Sequence, residues 1–181
     1  MALRDLLRPK ALSDLIGQGN AKRIVRKMIE DKAPGHLLLF GESGTGKTSL
    51  ALIAAREITG EQDEGMFGWG GWKHLNSSES GNKDFIAGTV TNFAQYAGLK
   101  IFIFDEAHTI TRDSQTLLLN LLERTGDTFY FFCTTQPKKL IYELRTRCRK
   151  IKFEWLTPEE RVERGEPLWS GLRCSGFIGL N

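Results

Sequence analysis

Cysteine is scarce in this chain, long apolar runs are missing, and the two signs of charge nearly cancel. Cys133, Cys148 and Cys174 are the only three cysteines in 181 residues, and they form no C-x-x-C pair. An odd, scattered set excludes a disulfide framework and a zinc knuckle, and it suits a reducing cytoplasm. No stretch approaches the ~18 consecutive apolar residues of a membrane span. Met1 to Lys10 mixes arginine with leucine and lacks an apolar stretch of signal-peptide length. The expectation is a soluble, cytoplasmic protein without a membrane partner. A formal net charge of +3 is too small to mark a nucleic-acid surface, so any DNA contact has to come from local patches. The three histidines, His36, His74 and His108, are not spaced as metal ligands, and each is expected to be structural.

What is present is the make-up of one globular domain: 40% hydrophobic and 26% charged residues. A chain of this length buries roughly two-thirds of its unfolded surface. Ala21, Ile24, Val25, Met28 and Ile29 follow i, i+3, i+4, i+7, i+8 and predict an amphipathic helix that stops before Pro34-Gly35. His36 to Phe40 is a short continuous apolar run of the kind buried in a parallel sheet. A glycine-rich turn, Gly41 to Thr48, leads into a helix over Ser49 to Ile58, and Glu61 to Gly71 is expected to be an exposed loop. Further strands are predicted at Lys73 to Asn76, Lys100 to Asp105, Thr128 to Cys133 and Lys150 to Phe153. Helices are predicted at Asp84 to Ala97, Asp113 to Glu123 and Pro137 to Leu144. There is no internal repeat. Strands alternating with helices predict an α/β fold, a five-stranded parallel sheet in three layers. Thr157-Pro158-Glu159-Glu160 has the form of a helix start, with threonine as N-cap and proline at the first helical position. Arg161 to Asn181 then loses all apolar period. The expected division is a nucleotide-binding domain over 1–156 and, over 157–181, an irregular tail or the truncated start of another domain.

Gly41-Glu42-Ser43-Gly44-Thr45-Gly46-Lys47-Thr48 fits G-x-x-x-x-G-K-[ST]. Glycines let backbone N–H groups curl around phosphate oxygens, and the following helix adds its positive N-terminal end. The predicted cradle is Glu42, Ser43, Gly44, Thr45, Gly46, Lys47, Thr48 and Ser49. Lys47 is placed to reach the β- and γ-phosphates of ATP, and the Thr48 hydroxyl to ligate Mg²⁺.

Ile101-Phe102-Ile103-Phe104-Asp105-Glu106 ends a hydrophobic strand, expected to neighbour the P-loop strand, with two carboxylates. Carboxyl ends of parallel strands line the ligand crevice. Asp105 is therefore expected to hold Mg²⁺ through water, and Glu106 to orient and deprotonate an attacking water. Thr134-Thr135 closes another strand at the same edge, where a polar side chain can meet the γ-phosphate or stand as an ordinary strand end. Phe102, Phe104, Phe129, Phe131 and Phe132 are expected in the core. Trp69 and Trp72, in the glycine loop, have no assigned role. Leu144 to Lys150 (LRTRCRK) is a basic cluster whose ordinary reading is a solvated charge run.

Taken together, these residues resemble the AAA+ ATPase subunits of sliding-clamp loaders, over about Leu3 to Glu160. Arg8-Pro9-Lys10-Ala11-Leu12-Ser13-Asp14-Leu15-Ile16-Gly17-Gln18 is similar to that family's N-terminal box, R-P-x-x-h-x-[DE]-h-h-G-Q, which flanks adenine. The resemblance implies nucleotide contacts for Arg8, Pro9, Ile16 and Gly17. Leu75-Asn76-Ser77-Ser78-Glu79 resembles the L-N-A-S-D box, and Thr135 falls at the sensor-1 position, implying a catalytic role. Arg145-Thr146-Arg147-Cys148 is similar to the S-R-C motif, with Thr146 in place of serine; its arginine acts as a finger on a neighbouring subunit, which implies that role for Arg147. Asp84-Phe85-Ile86-Ala87-Gly88 and Thr91-Asn92-Phe93-Ala94 resemble the tailed-phage members, implying host cytoplasm as the location. The implied partners are sister subunits, a sliding clamp and primer–template DNA.

Members of that family continue into a helical lid with a sensor-2 arginine and a C-terminal collar beyond the point matching Thr157-Pro158. Weak hydrolysis in isolation is therefore expected. Two alternatives remain at this stage. One is a non-catalytic or truncated paralogue that only binds nucleotide and partners. The other is a helicase-type motor fragment, because Asp105-Glu106-Ala107-His108 spells D-E-A-H; such motors need a second RecA-like domain, for which 181 residues leave no room.

Overall fold

A computed structural model of the chain describes residues 9–31, 35–60, 71–80, 82–94, 98–124, 126–158 and 160. Arg8, Trp69, the segment 95–97 and the tail 161–181 lie outside the described residues.

The elements follow the strand–helix alternation. Helix α1 (Gly19–Glu30) precedes β1 (Leu37–Gly41), and α2 (Lys47–Thr59) precedes β2 (Gly71–Asn76). A single-turn α3 (Ser77–Ser80) and α4 (Lys83–Ala94) lead to β3 (Lys100–Asp105). A 3₁₀ turn at Ala107–Thr109 and α5 (Arg112–Arg124) precede β4 (Thr128–Thr134). A second 3₁₀ turn, Pro137–Lys139, α6 (Tyr142–Arg147) and β5 (Arg149–Phe153) complete the order. The five strands form one sheet in the order β2-β3-β4-β1-β5, and every neighbouring pair is parallel.

Alternation along the strands divides the apolar residues between two cores, one per sheet face. Leu37, Leu39, Ile101, Ile103, Phe131, Cys133 and Ile151 pack against Ala21, Val25 and Met28 of α1 and the apolar run Leu50 to Ala55 of α2. Leu38, Phe102, Phe104, Tyr130 and Phe132 pack against Ile86 and Val90 of α4, Leu118 and Leu122 of α5, and Leu144 of α6. Helices on both faces make the three layers. The second core is aromatic: Phe102 stacks on Tyr130 at 5.7 Å and Phe104 on Phe132 at 5.4 Å between ring centroids. Such pairs each add about 0.5–1.5 kcal/mol beyond burial.

Three expectations need correction. The acidic strand does not neighbour the P-loop strand, because β4 lies between β1 and β3. Gly71 and Trp72 belong to β2 rather than to a loop; Trp72 is buried, with the Arg56 guanidinium 5.4 Å from its ring centroid. The helix predicted over Pro137 to Leu144 splits into a 3₁₀ turn and α6, which runs on to Arg147. The aliphatic residues there are Leu140, Ile141 and Leu144, of which Leu140 and Leu144 are buried.

Thr157 begins a capped turn as its sequence suggests. The Glu160 N–H donates to the Thr157 hydroxyl at 3.3 Å, and the Thr157 N–H donates to the Glu160 carboxylate at 2.8 Å. This reciprocal pairing is a capping box.

Candidate nucleotide-binding site

The P-loop lies where β1 turns into α2, at the carboxyl edge of the sheet. Gly44 and Gly46 take φ of 78° and 96°, values that L side chains rarely adopt, so the loop's tight curl depends on glycine. Thr45 donates its hydroxyl proton to the Glu42 carbonyl at 2.8 Å and locks the turn. Glu42, Ser43 and Gly44 are exposed at its tip, while Thr48 and Ser49 are half-buried in the first turn of α2. Lys47 curls back across the loop: its ammonium donates to the carbonyls of Gly41 at 2.9 Å and Glu42 at 2.6 Å. The side chain is 7% exposed. Burial pulls its pKa below the ordinary lysine value, against the opposing fields of Glu106, Asp105 and Glu42.

Two oxygen donors meet across the crevice. The Thr48 hydroxyl donates to Asp105 Oδ2 at 2.9 Å, and the Glu106 N–H donates to Asp105 Oδ1 at 3.0 Å. His74 Nε2 lies 3.7 Å from Asp105 Oδ2. Burial raises the Asp105 pKa, but the hydrogen bonds from His74, Thr48 and Glu106 outweigh it and hold the carboxyl below its ordinary value. The group is therefore an anion at neutral pH. A hydroxyl and a carboxylate oxygen in contact form the hard donor set that Mg²⁺ takes when it completes its shell from phosphate and water. Thr48 and Asp105 fit that ion, and Mg²⁺ bound there would neutralise charge on the β- and γ-phosphates.

Glu106 stands next along the chain with φ 49° and ψ 41°, a left-handed backbone rare for a side chain of this size. Its carbonyl accepts from both the Thr109 N–H and the Thr109 hydroxyl at 2.9 Å. The sharp turn sets the Glu106 carboxylate, with 45% of the side chain exposed, at the mouth of the crevice. Thr134, the last residue of β4, is buried, and Thr135 follows it, half-buried, at the same edge.

The N-terminal box packs beside the loop. Gln18 donates from Nε2 to the carbonyls of Thr45 (3.5 Å) and Glu154 (2.6 Å), joining the P-loop to the end of β5. Gly17 lies against the Leu156 and Glu160 side chains, and Pro9 and Ile16 are half-buried nearby in sequence. Arg147 lies apart from this cluster. It ends α6 with its guanidinium on the Glu123 carboxylate of α5, both side chains about half exposed.

Three neighbours of the site escape a reading of the sequence. His74 and His108, expected to be structural, stand against the two carboxylates, and His36 accepts the Tyr130 N–H at 3.2 Å. For His74 the signal was proximity in space, which spacing along the chain does not carry; His108 lies two residues beyond Glu106. Gln115, 3% exposed, donates to the carbonyls of Ile110 (2.9 Å) and Lys139 (3.4 Å) and accepts the Ile141 N–H at 2.7 Å. It braces the segment after β3 against the segment after β4. A glutamine in a leucine-rich helix gives no hint of that.

A P-loop on β1, an acidic pair on β3 and an intervening β4 define a P-loop nucleoside-triphosphatase fold. The profile of one branch, the ATPase family associated with various cellular activities (AAA), matches residues 37–154, and the chain belongs to that family. It is 36% identical over 166 residues to human replication factor C subunit 5, covering 88% of this chain and 47% of that protein. It is 32% identical over 162 residues to the replication factor C small subunit of Methanococcus maripaludis, covering 86% of this chain and 50% of that protein. Among solved structures, the Thermotoga maritima RuvB Holliday junction branch migration motor superposes with a TM-score of 0.71 at 25% identity, over 87% of this chain and 52% of that one. The chain thus spans about half the length of the relatives it matches. Among the described residues, no helix is long and apolar enough to cross a membrane.

Proposed function

We propose that this chain is the ATP-binding and ATP-hydrolysing module of a clamp loader, an AAA+ machine that works with sister subunits to place a sliding clamp on primer–template DNA. The observation that carries the ATPase part is the 2.9 Å contact between the Thr48 hydroxyl and Asp105, with Glu106 held beside it. Similarity to replication factor C subunits of a human and an archaeon supports the clamp-loader part. Free, buried Cys133 and Cys148 suit work in the cytoplasm, that of the host for a phage-encoded protein.

In this reading the backbone of Glu42 to Thr48 wraps the phosphates, Lys47 swings from its carbonyl partners to the β- and γ-oxygens, and Thr48 and Asp105 hold Mg²⁺. Glu106 accepts a proton from water as the water oxygen bonds to the γ-phosphorus and the bond to the ADP oxygen breaks. Thr135 senses the γ-phosphate, and Arg8, Pro9, Ile16 and Gly17 flank the base. Arg147 serves the nucleotide of a neighbouring subunit from the end of α6. The capping box at Thr157 supports a boundary there, with 1–156 as the nucleotide domain and 157–181 as an irregular tail or the truncated start of a lid.

Calorimetric titration with MgATP tests the reading. Wild type binds and Lys47→Ala does not, since the triphosphate loses its positioned cation. Equal affinities would remove the P-loop assignment. For the clamp-loader part, ATP turnover should rise when clamp, sister subunits and primed DNA are added together, and a rate indifferent to them would contradict it.

A further inference from the structure

His108 occupies the middle of the 3₁₀ turn after β3, with 14% of its side chain exposed. Its Nδ1 lies 3.3 Å from Glu106 Oε2 and 3.3 Å from the Thr134 hydroxyl oxygen. One ring nitrogen therefore faces two oxygens from different strand ends. An ionised carboxylate only accepts hydrogen bonds, so a hydrogen bond to Glu106 requires the tautomer with a proton on Nδ1. The Thr134 oxygen already accepts the Gln136 N–H at 3.0 Å and has a second lone pair for the same Nδ1–H. The imidazole thus ties the Glu106 carboxylate to the end of β4.

That tie answers a need the backbone leaves open. Left-handed geometry fixes the Glu106 main chain, but its carboxylate is half exposed and free to rotate about several bonds. A base acts only from a narrow range of positions, and a displacement of about 1 Å can cost about 10²-fold in rate. Thr134, 1% exposed and inside the sheet, is a rigid anchor, and it directly precedes Thr135.

We propose that His108 is a positioning residue for Glu106, holding the base's carboxylate against the end of β4 through Thr134. The inference rests on Glu106 being the base. It also makes the two strand ends move as one: a shift of β4 at Thr134-Thr135 carries the carboxylate with it.

The test measures ATP turnover by the full chain and its variants in MgATP, beside the tautomer of His108 read from its ring ¹⁵N shifts. His108→Ala should lower kcat by about 10²-fold with KM unchanged. His108→Asn, whose amide nitrogen falls where Nδ1 sits, should restore most of that loss. Adding His108→Ala to Glu106→Gln should lower the residual rate no further, because the tie has no base left to hold. The wild-type ring should carry a proton on Nδ1, and Glu106→Ala should shift the ¹⁵N signals. Wild-type turnover in His108→Ala while Glu106→Gln is inactive would overturn the proposal alone. The same follows from an undiminished further loss in the double variant, or from a ring protonated only on Nε2. Wild-type turnover in Glu106→Gln would instead overturn the assignment of the base, and the proposal with it.

Discussion

The Thr48 hydroxyl reaches Asp105 across the end of β4, 2.9 Å from residue to residue although 57 positions separate them in sequence. Parallel pairing sets β1, β4 and β3 side by side, so the first turn of α2 and the last residue of β3 share one edge. Hydrogen bonds hold the Asp105 carboxyl below its ordinary pKa despite burial. Stability from those bonds is therefore complete above the unfolded value of about 4 and is lost as pH falls through the lower folded one.

Asp105→Asn keeps the shape and removes the charge. Outer-shell partners of metals are worth about 10–100-fold in affinity, so the gain in ATP affinity on adding Mg²⁺ should shrink by about that factor. Calorimetry with MgATP and with ATP in EDTA measures it. An undiminished Mg²⁺ effect would remove Asp105 from the metal site.

Gly41 offers a test of the fold. It pairs with Phe153 at the β1–β5 edge, where a Cβ would run into the Phe153 carbonyl oxygen. Gly41→Ala should lower stability by about 1–3 kcal/mol, the ordinary cost of overpacking, and thermal melting would show it. An unchanged Tm would mean that β1 and β5 are not joined at this point.

Gln115→Ala leaves the buried Ile110 carbonyl and the half-buried Ile141 N–H without their partner. Each stranded buried group costs about 1–3 kcal/mol, so chemical denaturation should show a loss of that size. A loss below 0.5 kcal/mol, roughly the scatter of surface substitutions, would mean that the brace is not made.

The three central strands were legible because β1, β3 and β4 are compact, largely apolar runs bounded by glycine or polar residues, and Lys100 to Asp105 emerged with its limits as read; the edge strands β2 and β5 mix charged with apolar residues. Strand order was not, since nothing in the sequence places β4 between β1 and β3. The phosphate loop could be read residue by residue because its chemistry needs fixed spacing, from Gly41 to Thr48. His74 and Gln115 could not, because they meet partners on other elements; His108 stands two residues from Glu106 in sequence, but its contact with Thr134, 26 positions away, leaves no local trace. Arg147 came from the R-T-R-C resemblance; the structure adds its Glu123 partner, which belongs to the same chain.

Glu106→Gln tests the central claim most directly. The substitution keeps size and backbone, leaves Asp105 and Thr48 in place, and removes the one group assigned to accept the proton from water. General-base catalysis contributes about 10²–10⁴-fold, so ATP turnover should fall by that factor while MgATP affinity, measured on the same preparation, stays unchanged. Turnover at the wild-type rate with affinity intact would contradict the account.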